Sequence, residues 1–379
     1  MKQQRHFARE WAVRLGGGAL ALAALSVCAQ TPTTESATDT ASIRPVFFGY
    51  TGVYYGYDFN VPRTRARPPW VYSENRHNEV SINIALLGAR FASERVRGTF
   101  AIQTGTYPDA NYAAEPQVFK HIYEAYAGVR LRPRLWLDAG VFLSHIGLEG
   151  PISRDDFTLT RSMMADNSPY YEAGARLTYD APNGHWTVVG LVLNGWQVIR
   201  DQNENMSTGW QVQWRPTDRL TFNSSTYAGE GYNLPDSVGR RLRYYHDLYV
   251  TYRPTARLTL AAAWDIGRQE RPLGSAARTG TWHTGTAIVN WRFRPRLAVA
   301  ARAEYMYDPR LAQIALPATA PTQRFSTGAA SVGLDYFPVE RAIVRVEAKG
   351  YRAQDAVFER RAGWSRSNAV LTGLLGLSF

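Results

Sequence analysis

Few side chains in this sequence could do covalent or metal chemistry, and their spacing gathers none of them into a site. His77, His121, His145, His185, His246 and His283 are scattered, with no pair at metal-ligand spacing and no Ser–His partner in a recognisable motif. Asp155-Asp156 has the outline of the paired acids of a protease, but an acidic doublet in a polar loop is usually just solvated. His145 and Glu149 in the segment SHIGLEG stand at the top of an apolar run, where a metal or proton site is conceivable. With no second ligand nearby, the histidine is expected to bond to solvent. Gly16-Gly17-Gly18 falls in the N-terminal leader, so it is no phosphate-binding loop. Cys28 is the only cysteine, which removes thiol nucleophiles and Cys-rich metal sites. The expectation is no catalytic residue, no metal and no cofactor.

The remaining ionisable residues follow a different rule. Arg97, Glu124, Arg130, Asp138, Arg215, Arg243, Asp247, Asp265, Arg302, Glu304, Arg345, Glu347 and Lys349 each alternate with apolar neighbours. In Leu297 to Tyr307, for example, Leu297, Val299, Ala301, Ala303 and Tyr305 share one parity, and Arg302 and Glu304 the other. Successive side chains of a strand point to opposite faces, so one face is apolar and the other charged. The same reading sets Val80, Ile82, Ile84 and Leu86 against Ser81 and Asn83, and Leu135, Leu137, Ala139, Val141 and Leu143 against Asp138.

A soluble sandwich also alternates, so the breaks between strands have to decide. Short ones fall at Ser93-Glu94-Arg95, Arg132-Pro133-Arg134, Pro182-Asn183-Gly184, Arg215-Pro216-Thr217, Arg253-Pro254-Thr255, Arg294-Pro295-Arg296 and Phe337-Pro338-Val339. Between them lie longer polar breaks at about 60–77, 108–116, 148–169, 199–206, 230–241, 269–280, 308–324 and 353–366. Strict alternation of short turns with long loops marks a transmembrane barrel, with tight turns on the periplasmic side and long loops outside. The expected fold is therefore all-β: an antiparallel, up-and-down transmembrane barrel of about 16 strands over residues 43–379. Charges on a lipid-facing surface are strongly disfavoured, so the charged parity should line the lumen. A salt-bridged interior that plugs the barrel is the competing reading; at sixteen strands the lumen looks too wide for side chains to fill.

Composition agrees with strands and not with membrane helices. Aromatics make 13% of the 379 residues and glycines number 31, while mean hydropathy is negative. The one helix-like apolar run, Leu15 to Val27 behind Lys2, Arg5, Arg9 and Arg14, is too short to span a bilayer and reads as a secretory signal peptide over residues 1–29, cut after Ala29. A lipoprotein signal ending at Cys28 is the alternative, with Val27 a poor fit before the cysteine. Residues 30–42 suit a disordered leader. The formal net charge of +11 would suggest nucleic acid for a soluble protein. Here no basic run with interleaved aromatics forms a patch, and no nucleic-acid partner is expected.

Tyr50, Tyr54, Tyr55, Tyr57, Trp210, Trp214, Tyr249, Tyr252, Tyr305 and Tyr307 lie near strand ends, as an aromatic girdle at the lipid headgroups would require. At the end of the chain Leu371, Gly373, Leu375, Leu377 and Phe379 alternate with a second set. Leu375, Leu377 and Phe379 form an amphipathic final strand of the kind that outer-membrane barrel assembly machinery reads.

Several stretches together resemble a known family: YYGYDFNVPR from Tyr54, NEVSINIALLGA from Asn78, VRGTFAIQTGTYPDANYA from Val96, IYEAYAGVRL from Ile122 and LWLDAGVFLSHIGLEG from Leu135. They resemble the OmpL-like β-barrel porins, the second family of that series. The resemblance covers most of the mature chain and implies a Gram-negative outer-membrane barrel with a pore, without implying any catalytic residue or solute.

The expected function is accordingly a passive diffusion channel for small hydrophilic solutes, weakly anion-preferring, embedded in outer-membrane lipid, with a homotrimer as the assembly to test. A closed or plugged barrel serving as enzyme, adhesin or anchor is the rival. The third long loop, about Leu148 to Pro169, is the candidate constriction; it holds Glu149, Arg154, Asp155, Asp156, Arg161 and Asp166 beside Met163 and Met164. Charges of both signs there, opposite wall arginines such as Arg97, Arg130 and Arg345, would set a transverse field. The final strand yields the first prediction: deleting Phe379 should lower the amount of heat-modifiable, membrane-embedded barrel. Unchanged levels would count against its role in assembly.

Overall fold

The computed structural model describes residues 44–233, 241–271 and 277–379, so the proposed signal peptide and the proposed leader lie outside it. A closed antiparallel barrel of sixteen strands accounts for most of the rest. Its strands in chain order are β1 (Val46–Asp58), β2 (Val80–Ala92), β3 (Val96–Thr104), β4 (Ile122–Arg132), β5 (Leu135–Leu143), β6 (Tyr171–Asp180), β7 (Trp186–Leu193) and β8 (Ser207–Thr217). They continue as β9 (Leu220–Glu230), β10 (Leu242–Thr255), β11 (Leu258–Glu270), β12 (Thr279–Arg294), β13 (Leu297–Asp308), β14 (Phe325–Tyr336) and β15 (Ala342–Ala353). A two-residue hairpin, β16 (Phe358–Glu359) with β17 (Trp364–Ser365), precedes the last wall strand, β18 (Ser367–Ser378). Each wall strand pairs with its neighbour in sequence, and β18 closes on β1 with Tyr50 opposite Ser378 and Asp58 opposite Val370. Phe379 completes the seam: its amide donates to the Gly49 carbonyl at 3.1 Å and its carbonyl accepts from the Gly49 amide at 3.2 Å.

The up-and-down order puts the tight turns at one end, the turn end, and the long connections at the other, the loop end. The connections are L1 (59–79), L2 (105–121), L3 (144–170), L4 (194–206), L5 (231–241), L6 (271–278), L7 (309–324) and L8 (354–366). L2 contains a short helix, α1 (Thr106–Asn111), and L3 another, α2 (Met163–Asp166), whose Ser162 side chain caps it by accepting the Ala165 amide at 3.1 Å. Two turns fall later than the proline signals place them. Arg215-Pro216-Thr217 and Arg253-Pro254-Thr255 are still strand, and the chain reverses at Asp218-Arg219 and Ala256-Arg257. The register shifts just before each reversal, so the proline sits where a ladder hydrogen bond is already lost.

Parity holds on most strands. β13 alternates throughout and β15 from Ile343 onward, with Arg302, Glu304, Arg345, Glu347 and Lys349 buried and Val344, Val346 and Tyr305 exposed. β2 departs from the expected pattern. A bulge where the β1–β2 register shifts at Gly52/Val53 changes the strand's phase, so Val80 and Ile82 face outward while Asn83, Ile84 and Leu86 are all buried. The aromatic set divides as well. Tyr55, Trp210, Trp214, Tyr252, Tyr305 and Tyr307 are exposed on the outer wall, whereas Tyr50 and Tyr54 are buried and Tyr249 accepts a hydrogen bond from the lumen-side Gln213 at 2.9 Å. Trp186 joins the outer set near the turn end, stacked on Trp214 at 5.5 Å, which in turn stacks on Phe222 at 5.4 Å.

On β5 and β6, Gly140 and Gly174 stand opposite each other across the pair, with φ of 132° and 152°. A Cβ would meet the Ala125 carbonyl oxygen at 2.2 Å in one case and that of Val192 at 2.1 Å in the other, so only glycine fits either place. Just beyond them the chain leaves the wall and enters the barrel as L3.

Candidate functional site in the lumen

L3 does not stay at the loop end. Its first residue after β5, Ser144, donates to Glu172 of β6 at 3.1 Å, and the next, His145, bridges from β6 to β9, three strands along the wall. His145 Nδ1 lies 2.9 Å from Glu172 Oε1 and Nε2 lies 3.0 Å from the Thr226 carbonyl oxygen of β9. Both ring nitrogens thus face acceptors, an arrangement that favours the doubly protonated imidazolium. Burial alone would depress its pKa, but the Glu172 carboxylate outweighs that and raises it. The histidine is buried and ion-paired, not solvated as its place at a strand end suggests, because L3 turns inward at once.

Further along, L3 lies against β13, β15 and β18. Glu149 accepts from Arg302 Nη1 at 3.2 Å, and its oxygens also take the Ser162 amide at 3.2 Å. Glu347 Oε2 accepts the amides of Leu159 at 2.8 Å and Thr160 at 3.1 Å, while its Oε1 accepts from the Thr160 hydroxyl and, at 3.2 Å, from Arg302 Nη2. Glu304 lies 2.7 Å from Lys349 Nζ and 3.3 Å from Arg302 Nε, and it also takes the Met163 amide. Lys349 then donates to the Arg161 carbonyl at 3.0 Å. Near the turn end Arg345 grips Asp335 through two bonds of 2.8 and 3.0 Å and donates to the Ser153 carbonyl. Arg154 reaches Ser378 Oγ and the Glu340 carbonyl at the turn-end rim. L3 therefore runs nearly the full height of the lumen.

The charges of the loop itself are mostly withdrawn from water. Arg161 is buried, with Nε donating to the Gly150 carbonyl at 2.6 Å, Nη1 4.0 Å from Glu74 of L1, and its guanidinium over the rings of Tyr107 and Tyr170 at 5.3 and 5.5 Å. Burial pushes the carboxyls around it up despite that cation: Asp166 to about 6, Glu74 to about 7 and Asp156 to about 8. Asp155 is exposed, but its neighbour Asp156 has Oδ1 on the Gly150 amide at 2.7 Å and Oδ2 shut off from solvent, so only half of the acidic doublet is solvated.

Elsewhere on the wall Asp138 is clamped between Arg97, at 2.7 and 2.8 Å, and Arg176 at 2.9 Å. Arg97 and Arg130 lie over the Trp136 ring at 4.5 and 4.9 Å. These arginines belong to a cluster separate from L3; of the three wall arginines expected to face the loop, only Arg345 touches it. Arg130 is exposed, Arg215 half-buried with Nη1 on Thr187 at 3.0 Å, and Glu124 buried. Arg243 is buried against Gln269 at 2.6 Å and over the Trp196 ring at 4.5 Å. Asp247 and Asp265 stand opposite each other on β10 and β11, both buried, with Asn223 on the first at 2.9 Å and the Tyr245 hydroxyl on the second.

An apolar cluster fills much of the loop half. Trp70 of L1, Met163 of L3 and Ile314 of L7 pack with Phe142, Leu191, Leu193 and Phe358, and Trp70 meets Phe325 edge-on at 5.0 Å. Side chains of L1, L3, L7 and L8 and inward side chains of the wall strands do this filling together, so a lumen too wide for wall side chains alone is closed in part by loops. Among the partners that the sequence reading passed over, Arg176, Glu172 and Asp335 sit at lumen parity and were open to the same rule. Glu74 lies in a loop with no period to expose it.

The titration of this packing has a definite sign. Glu74, Asp156 and Asp166 bind protons more tightly when buried, so their contribution to docking is complete below the ordinary carboxylate range and fades as pH rises through 6 to 8. His145 acts in the same direction: its pairing with Glu172 is present below 6.5 and is lost as pH passes its raised pKa. Current through the barrel should therefore be quieter at about pH 5 than at about pH 9. Equal noise at both, or the reverse order, would contradict this assignment of L3.

The comparisons agree with this geometry. The family model described as "Putative beta-barrel porin-2, OmpL-like" matches residues 46–379. No curated protein sequence matches. Solved structures with the same fold include OmpF of Salmonella typhi in complex with daunomycin, at TM-score 0.58 and 11% identity over 89% of this chain and 98% of that one. They also include an anion-selective porin from Comamonas acidovorans, at 0.57 and 10% over 89% and 100%. The in-vitro folded trimer form of OmpT from Vibrio cholerae matches at 0.56 and 8% over 89% and 99%. At such identities these structures show the fold alone, and the match along the sequence adds the family: the chain belongs to the OmpL-like β-barrel porins of the outer membrane.

Proposed function

We propose that this outer-membrane porin passes small hydrophilic solutes by diffusion, with a weak preference for anions, and that L3 is its constriction. The observation behind this is the buried set of bonds from Arg302, Arg345, Glu304, Glu347 and Lys349 to the backbone and side chains of L3, which ties a loop across the lumen. Glu149, Arg154, Asp155, Asp156, Arg161 and Asp166 give that loop both signs of charge. Arg97, Arg130 and Arg215 offer the passing solute cations with at least partial exposure, while interleaved acids and a Debye length of ~8 Å at physiological salt keep the preference weak. Family membership favours a channel over a plugged enzyme, adhesin or anchor. Long loops would face outward and tight turns the periplasm, and a trimer is the assembly we propose, as in the V. cholerae OmpT form.

Purified protein in planar bilayers tests the reading. Discrete conductance steps are expected, with a reversal potential under a salt gradient on the anion side. A variant lacking residues 152–166 should still be heat-modifiable but should conduct more and admit larger sugars. Silent bilayers would remove the pore, clear cation preference would remove the selectivity, and unchanged conductance in the folded deletion would leave L3 outside the path.

A further inference from the structure

At the turn end, the tip of L3 and the ends of β10, β11, β12, β14 and β15 enclose a recess of about 360 Å³. Its charge is one-sided. Five arginines line it: Arg154, Arg253, Arg257, Arg292 and Arg345. Of the acids that line it with them, Asp335 is taken up by Arg345 in a two-bond pair, and Asp156 holds the Gly150 amide with Oδ1 while burial pushes its carboxyl up to about 8. That leaves Arg154, Arg253, Arg257 and Arg292 facing Asp155. Arg253, Arg257 and Arg292 have no carboxylate within salt-bridge distance among the described residues.

Two of these guanidiniums are held in position. Arg154 is fixed by its bonds to Ser378 and the Glu340 carbonyl, and Arg292 lies 4.3 Å over the Phe337 ring. Arg253, Arg257 and Arg292 are open to solvent, and guanidiniums gathered in one concavity repel each other unless an anion sits among them. A planar guanidinium fork matches the paired oxygens of a carboxylate or phosphate. A single charge would leave most of this excess unanswered.

We propose that the recess binds a small oxyanion with two or more negative charges, a di- or tricarboxylate or a phosphate ester, at the inner end of the pore. Its place in transport rests on the channel reading above; the binding itself does not. An anion that has passed L3 would be captured there before release.

Titration calorimetry of the full-length barrel in detergent at low salt tests it, with citrate, inorganic phosphate and acetate as probes. Citrate or phosphate should bind more tightly than acetate, and whichever of the two is tighter names the oxyanion class. The triple variant Arg253→Ala, Arg257→Ala, Arg292→Ala should weaken binding about tenfold or more, while Arg63→Ala, Arg65→Ala, Arg310→Ala, of equal charge at the loop end, should not. Equal loss in both variants would reduce the effect to net charge, and absence of citrate and phosphate binding to the parent would end the proposal. In bilayers, citrate added at the turn end should block chloride current more than citrate at the loop end. Silence there would count against the channel reading and leave the calorimetric result standing.

Discussion

A backbone amide or carbonyl left open in hydrocarbon costs several kcal/mol, and in this chain that demand is met only by closing the sheet. Closure depends on one seam, β1 against β18, sealed at the turn end by the reciprocal bonds between Gly49 and Phe379. Much else follows from it. A closed wall has a lipid side and a lumen side, and a charge on the lipid side near the midplane costs about 2–4 kcal/mol. The strand charges at Arg302, Glu304, Arg345, Glu347 and Lys349 must therefore point inward, where they need partners.

L3 supplies those partners. Arg302, with a fully buried side chain, touches Glu149 of the loop and Glu304 and Glu347 of the wall, and the loop amides of Leu159, Thr160 and Met163 use remaining carboxylate oxygens. Removing one member of such a buried set costs about 3–5 kcal/mol, because the others are left charged and dry. The loop is thus bound to the wall by the same charges that lipid excludes from the outside. Apolar contacts of Trp70, Met163 and Ile314 then pack L1, L3 and L7 together above it. Loops L1, L3 and L7 thus share the interior of a wide barrel with the inward side chains of its strands.

Much of this was legible in the sequence wherever a period of two was unbroken. β13 and β15 declare their faces through charged residues at alternate positions, and the alternation of tight turns with long loops counts the strands. Legibility failed where local geometry reset the period. The β1–β2 bulge turned Ile84 and Leu86 inward, and the turns after Pro216 and Pro254 slipped two residues down the chain. It failed again where both faces are apolar. Val189, Leu191 and Leu193 point into the lumen and Val188 and Val192 to lipid, and nothing in their types says which is which. Loop contacts such as His145 with Glu172, or Arg161 with Glu74, join residues with no periodic relation and needed the folded chain.

L3 is a bonded part of the barrel interior and not a surface loop. Hydrogen–deuterium exchange of the native protein in lipid tests it directly, since the amides of Leu159, Thr160, Ser162 and Met163 are all held by buried carboxylates. Peptides covering residues 157–164 should exchange as slowly as those of β13 and β15. Exchange as fast as an unprotected chain would show that the loop spends its time outside the lumen, and would contradict the account.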